Sequence, residues 1–371
     1  MTQWILNPYW EILFLESGDV LLNHVHANSL RLRKPTNGQL NFLRQLDRAH
    51  HDNGVDLLVG SAAADDLRDV QALISRLNEE GVLRDIDSES QVGDLSPSEV
   101  SRFGSFLAWL GRFERRGYGV SAFKKLRASQ ITIIGVGGAG STAAMMLAAC
   151  GIGHIVLVDG DQVDDKNLVR QIFYSEEDVA RKELKVEALR KRIEGLTSFT
   201  RITTYPVFVD SSQDVTGPIA NSDLVLLTGD QPRVLINRFV NEACVSSRIP
   251  LLYSFVEQLG PLFVPGISSC FACLERHWRD EIGSEHDEIV DALQVRRTIE
   301  YPSMVSGPIQ MADAMVIEAI GHLTDLYRPQ TLNSVIYVGQ HNRQKQVVSR
   351  FLDCSLCGSI TRTVRNDSER L

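Results

Sequence analysis

Three sets of side chains in this 371-residue chain are spaced for chemistry: glycines followed by an acid, cations beside amides, and paired cysteines. Gly135, Gly137, Gly138 and Gly140 follow a short apolar run, Ile131 to Ile134, and open a stretch of small residues. A second apolar run, Ile155 to Val158, then ends in Asp159. Strand, glycine turn, helix, strand and terminal acid, in that order, form the signature of a phosphate-cradling βαβ unit. Glycine lets the backbone approach a phosphate closely, and a helix N-terminus offers its unpaired N–H groups to the anion. An acid roughly 20 residues on can accept hydrogen bonds from a ribose.

The residues that follow, Asp161, Asn167, Arg170 and Gln171, separate this unit from a hydride-transfer site, which needs little positive charge there. Splitting a triphosphate requires cations for the departing pyrophosphate and a carboxylate for magnesium. Candidates for both lie downstream. The segment Asp178 to Arg192 reads as one basic amphipathic helix with Lys182 and Lys185 in its early turns, and Leu224 to Leu227 is an apolar strand that delivers Asp230. Ligands of open α/β sheets gather outside the carboxyl ends of the strands, so Asp159 and Asp230 are expected to face one crevice. Each residue alone reads equally well as a solvated lysine or a turn aspartate. The ordered set carries the expectation.

Four of the six cysteines form two C-x-x-C pairs, Cys270 with Cys273 and Cys354 with Cys357. Two such pairs complete a tetrahedral sulfur site for a closed, structural zinc. The alternative is a pair of redox dithiols, which is disfavoured because neither pair is expected to open a helix in the thioredoxin manner. Cys150 and Cys244 read as small core residues, and the histidines form no metal pattern, although His277 follows Cys273 closely enough to be an extra ligand.

The runs GVGGAG, VDGDQVDDKNLVRQ and TGDQP together resemble the ubiquitin-activating enzyme superfamily, whose bacterial branch contains the ThiF and MoeB sulfur-carrier activators. The resemblance extends from about Arg112 to the C-terminus and implies an α/β, Rossmann-like ThiF-type domain that uses ATP and Mg2+ to adenylate a carboxylate. Carried over by motif, Asp159 holds the ribose, Asn167 and Arg170 contact the phosphates, and Asp230 binds magnesium. Gly135, Gly137, Gly138, Gly140, Asp161 and Gln171 complete the nucleotide cradle. Lys185, in Lys185-Val186-Glu187, matches the local pattern of the phosphate lysine at a slightly long spacing from Arg170, with Lys182 as a rival. Arg112-Phe113-Glu114-Arg115 resembles the motif at the start of the family's domain. Its second arginine reaches the triphosphate of a partner subunit, which implies a homodimer; Arg116 fits by a one-residue shift. The superfamily also carries a zinc of the kind expected here. Many relatives place a thioester-forming cysteine where Leu274 to Ile299 has none, so the resemblance implies that the activated carboxylate is used directly.

Residues 1 to 90 read as a separate unit. Tyr9 to Val25 contains two strand-like runs around Ser17-Gly18-Asp19, Gly38 to His50 is helical, and Asp65 and Asp66 can cap a second helix carrying Leu67, Val70, Leu73, Ile74 and Leu77. Residues 80 to 84 then form a wing strand, and the set points to a winged helix. Its eight basic and fourteen acidic residues give a net charge of −6, the wrong sign for duplex DNA. Peptide capture at a strand edge is the alternative use.

A winged helix ahead of a ThiF-like body resembles enzymes that modify ribosomally made precursor peptides, of the microcin C-type nucleotidylating and pantocin A-type maturation kinds. Leu259 to Gly266, Cys354 to Gly358, and Arg170-Gln171 through Val179 add to that likeness. The expected organisation is a peptide recognition domain at 1–90, a linker and helical segment at 91–128, and the adenylation domain at 129–371. Within it, Asp85 to Ser98 reads as linker, Ser101 to Ala128 as a helix packed on the body, and Arg279 to Arg297 as a lid or a solvated helix.

The reading that follows is adenylation of a glutamate side chain in a precursor peptide, leading to ring closure in peptide-antibiotic biosynthesis. Nucleotidylation of a peptide C-terminus is the alternative within this class, and a non-catalytic peptide-binding scaffold or an oxidoreductase lies outside it. The net charge of −9 gives no support for nucleic acid or an anionic membrane as partner, and no run is long enough to span a bilayer. With no leader pattern and with paired thiols, a cytoplasmic enzyme is expected.

Overall fold

The computed structural model describes residues 4–7, 10–24, 29–51, 64–85, 95–113, 119–293, 303–339 and 344–361. It divides into two compact units, Met1–Phe123 and Lys124–Leu371.

In the first unit, β1 (Trp4–Leu6), β2 (Trp10–Phe14), β3 (Val20–His24) and β4 (Leu30–Leu32) precede the helices α1 (Asn37–His51) and α2 (Ala64–Glu79), and β5 (Leu83–Asp85) follows them. β2, β3 and β4 form an antiparallel sheet, and the expected hairpin closes where the Leu15 N–H meets the Asp19 carbonyl at 2.9 Å. The wing strand β5 pairs not with that sheet but with β1. Strand alternation turns Trp10, Ile12, Val20 and Leu22 inward, where they meet Leu43 and Leu46 of α1 and Val70, Leu73 and Leu77 of α2. Burying each such aliphatic side chain contributes roughly 1.5–3 kcal/mol. α2 begins at Ala64, so Asp65 and Asp66 lie within its first turn instead of capping it. Most of the expected linker falls outside the described residues.

Helix α3 (Pro97–Gly111) starts at a reciprocal cap between Ser96 and Glu99, with proline in the first turn, where no N–H is needed. Phe103 packs on Phe123 of α4 (Val120–Ala128) with ring centroids 4.8 Å apart. The unit boundary therefore falls inside α4, later than residue 90, because α3 clusters with the first unit.

The second unit is built on β6 (Gln130–Ile134), α5 (Gly138–Ala149), β7 (His154–Val158), α6 (Glu176–Ala180), α7 (Lys185–Leu196), β8 (Arg201–Tyr205), α8 (Gln213–Thr216), β9 (Leu224–Leu227), α9 (Leu235–Ser247) and β10 (Leu251–Phe255). After these come β11 (Gln258–Phe263), α10 (Phe271–Ile282), α11 (Glu285–Leu293), α12 (Ser306–Thr324), β12 (Ser334–Tyr337) and β13 (Lys345–Val347). The eight-stranded sheet runs β13-β12-β11-β10-β9-β6-β7-β8, with β10 through β8 parallel and each neighbouring pair from β10 out to β13 antiparallel. Every residue of β9 is buried, as a parallel strand covered on both faces requires. β6 has β7 on one side and β9 on the other, so the strand order reverses there and opens a crevice at the carboxyl ends. Small residues along α5 let α12 pack against it. Arg279 to Leu293 is helical in two pieces, α10 and α11; the rest of the expected lid lies outside the described residues. No helix among the described residues is long and apolar enough to cross a membrane.

One expected helix is two. The segment Asp178 to Arg192 breaks after Ala180, Lys182 takes a left-handed φ of 51°, and a new helix begins at Lys185. Asp178 holds the break. Its carboxylate accepts the Ser175 N–H at 2.8 Å and the Arg192 guanidinium at 2.5 Å, while its carbonyl accepts the Glu183 N–H at 2.9 Å. Replacing it takes the carboxylate from Arg192 and from the cap, so Asp178→Ala is expected to lower the unfolding free energy by about 2–4 kcal/mol. Denaturant titration measures this, and a loss below about 0.5 kcal/mol, the size of an ordinary surface substitution, would assign the break to another cause.

Candidate active site

The crevice between β6 and β9 is a cleft of about 460 Å³, within the range of small-molecule sites. Its floor is backbone. Gly135 leaves β6 with φ +88°, and a Cβ there would lie 2.5 Å from the amide nitrogen of Gly229. Only glycine meets both conditions. Gly137 caps α5 and Gly138 is its first residue, so the unpaired N–H groups of the helix open on the cleft. Gly140 does not line the cleft; it sits one turn in, against Gly135 and Thr228.

Asp159 arrives at the end of β7. One carboxylate oxygen accepts the Val136 N–H and the other the Asp161 N–H, both at 2.8 Å. Burial pushes its carboxyl above the usual carboxylate range, with the Lys185 charge opposing. Each oxygen keeps a lone pair for another donor, such as a ribose hydroxyl. Lys185, the first residue of α7, is buried with its ammonium 2.8 Å from Asp161. Desolvating an ammonium is costly without such a partner. The helix break placed it there; Lys182, inside the break, is exposed and does not line the cleft.

Asn167 closes a short 3-10 helix, Asp165–Asn167, by a reciprocal cap with Asp164. Arg170 and Gln171 follow it into the cleft, where the Arg170 guanidinium donates to the Lys166 carbonyl at 3.1 Å and the side-chain oxygen of buried Gln171 has no protein partner. Asp230 stands exposed on the lining beyond β9, suited to a hydrated cation. The cleft thus gathers Gly135, Gly137, Gly138, Asp159, Asp161, Asn167, Arg170, Gln171, Lys185 and Asp230, while Arg115 and Arg116 lie outside the described residues. Arg112 stacks over the rings of Trp109 and Phe113, 4.5 Å from each centroid.

Of the lining residues that escaped the sequence reading, two bear on the site's chemistry. Lys166 sits beside Asn167 in the motif but looks like any solvated lysine. Phe208, in the loop after β8, lays its ring against Gly160, where an added Cβ would be 2.8 Å from it. No spacing rule marks that loop; the aromatic wall exists only because β8 pairs with β7. Such a face can stack on a base.

All four paired cysteines converge, their sulfurs within 4.8 Å of one another, with Cys270 3.9 Å from Cys354 and Cys273 3.6 Å from Cys357. Tetrahedral zinc with Zn–S bonds of about 2.3 Å sets its sulfurs about 3.8 Å apart, so the donor set and spacing fit. Contrary to expectation, the first pair does open a helix: Cys270 is the N-cap of α10. The convergence of the second pair, not the helix position, separates this cluster from a dithiol. Donation to Cys273 pushes the Cys270 thiol well up, while the bond from Cys270 brings Cys354 down to about 6. Arg350 pins the tail, donating to the carbonyls of Cys357 at 2.8 Å and Ile360 at 2.7 Å. His277 is no ligand, since its Nε2 accepts the Ser349 N–H at 3.0 Å. Among the described residues no cysteine lines the cleft; Cys244 is buried, and burial raises Cys150 to about 11.

Residues 113–354 match the model of the ThiF family. The chain belongs to the ThiF family. The sulfur carrier protein ThiS adenylyltransferase of Escherichia coli (strain K12) is 34% identical over 196 residues, which span 50% of this chain and 75% of that protein. The molybdopterin-synthase adenylyltransferase of the same strain is 27% identical over 243 residues, 61% of this chain and 93% of that one. The ThiS adenylyltransferase of Bacillus subtilis (strain 168) is 32% identical over 171 residues, 44% of this chain, and the match spans 50% of that relative's length. ThiF-family membership and these relatives support an ATP-dependent adenylyltransferase. In fold, the chain is similar to E. coli MccB solved with MccA-N7isoASN, with a TM-score of 0.71 at 20% identity, covering 96% of this chain and 100% of that one. It is also similar to selenomethionine PaaA, with a TM-score of 0.67 at 19% identity, covering 92% and 99%.

Substitution distinguishes the two lysines. Lys185→Ala is expected to weaken ATP binding roughly tenfold or more, because it removes a buried positive charge from the cleft lining, whereas Lys182→Ala should leave the affinity unchanged. Calorimetric titration checks both, and the reverse ranking would overturn the assignment.

Proposed function

We propose that this protein adenylates a carboxylate, a glutamate side chain, of a ribosomally made precursor peptide, and that the activated carbonyl closes a ring within the peptide. The convergence of Asp159, Arg170, Lys185 and Asp230 around the glycine turn carries the reading. Asp159 holds the ribose, Phe208 flanks the base, and Asn167 fixes the turn that aims Arg170. The peptide oxygen attacks the α-phosphorus of ATP, the bond to the bridging oxygen breaks, and pyrophosphate leaves toward Arg170 and Lys185. Mg2+, held by Asp230, supplies charge neutralisation to the phosphates when bound. A nucleophile of the peptide then takes the carbonyl and AMP departs. With no cysteine on the cleft lining among the described residues, relay through an enzyme thioester has no acceptor there.

The first unit is assigned to peptide capture as a winged-helix-like module. Its three-stranded sheet ends in β2 and β4, whose edges offer N–H and C=O groups to an added strand, and Leu13 is exposed on β2. MccB has been solved in complex with N-formylated MccA, and its fold spans both units of this chain. That likeness supports a peptide substrate and keeps nucleotidylation of a peptide C-terminus as the second reading. A homodimer with Arg115 serving the other copy's triphosphate, and a structural Zn2+ at the four cysteines, complete the assignment.

With ATP and precursor peptide, the wild type should release pyrophosphate and Asp230→Ala should lower the rate at least a hundredfold, on the order of a lost electrostatic contact in a transition state. Equal rates would sink the mechanism. Mass spectrometry of the peptide distinguishes loss of water from gain of a nucleotide. Elemental analysis should find one zinc per chain, absent in Cys273→Ser, which should also melt earlier; a metal-free wild type of full stability would remove zinc from the scheme.

A further inference from the structure

We propose that Lys166 is a third triphosphate cation, binding the β- and γ-phosphates that leave as pyrophosphate and so setting preference for ATP over AMP. This rests on the adenylation reading above. Lys166 lines the cleft from the 3-10 helix whose cap by Asp164 and Asn167 fixes its backbone. Arg170 lies four residues on, and its guanidinium donates to the Lys166 carbonyl at 3.1 Å, so one braced turn presents both cations. The two lysines of the cleft differ in kind. Lys185 is 7% exposed and fixed to Asp161 at 2.8 Å, whereas Lys166 is 46% exposed with Asp164 at 3.6 Å. An exposed pair at that separation is weak, and a polyphosphate is a stronger partner for the ammonium.

Charge balance points the same way. Asp159, Asp161, Asp164 and Asp230 all line the cleft, against Arg170 and Lys185. A triphosphate entering there needs further positive charge beside the magnesium. As the bond from the peptide oxygen to the α-phosphorus forms and the bond to the bridging oxygen breaks, the electron pair goes to pyrophosphate. A lysine on the β- and γ-phosphates meets that charge, and when pyrophosphate leaves, the AMP portion stays with Asp159 and the glycine turn.

Calorimetric titration of the full-length protein with ATP and magnesium, and separately with AMP, tests this. Lys166→Met should weaken ATP roughly tenfold while AMP affinity stays as in the wild type, and Lys166→Arg should restore most of the loss. Unchanged ATP affinity in Lys166→Met would overturn the proposal, as would an equal loss for ATP and AMP, which marks a merely structural lysine. A wild type that binds neither nucleotide would instead overturn the adenylation reading itself, so the two failures are distinguishable.

Discussion

The close approach of two backbones at the ends of β6 and β9 is the constraint on which the rest depends. The N–H groups of Thr228 and Gly229 both reach the Ile134 carbonyl at 2.9 Å, and Gly135 turns away against Gly229 with no side chain between them. That contact sets the width of the switch point. It places Asp230 beyond β9, the N-terminus of α5 beyond β6 and Asp159 beyond β7 on one lining. A side chain at Gly135 would separate the strands and spread these groups apart.

Around that floor, charges are held by partners of graded strength. Lys185 and Asp161 form a buried pair, and Asp159 is fixed by two backbone N–H groups. Asp230 and Lys166 are exposed, Lys166 with Asp164 at 3.6 Å. The gradient runs from charges fixed by close partners to charges open to solvent. Rigid placement at one end and exposure at the other suit a reaction in which half of the nucleotide departs first.

The cysteine cluster does a different task. Its sulfurs lie in the apolar core with Phe271 and Tyr253, and Arg350 ties the last described residues to the same knot. The tail packs Val348, Phe351, Leu356 and Ile360 against that core, and the proposed zinc would add a cross-link to these contacts.

Much of this was legible in the residues. The glycine turn, the strand-terminal acids Asp159 and Asp230, the NLVRQ run and the two C-x-x-C pairs are local patterns, because each function they serve needs a fixed residue type at a fixed offset. What lay between them was not. The helix expected from Asp178 to Arg192 had the right periodicity, but the Asp178 carboxylate, gripped by Arg192 from fourteen residues away, broke it and so chose Lys185 over Lys182. Phe208 joined the cleft through the pairing of β8 with β7, and α3 joined the first unit through Phe103 and Phe123. The chain by itself determined which atoms are available for phosphate and metal. Only the tertiary structure decided which of them meet, because meeting depends on hydrogen bonds and packing between residues far apart in sequence.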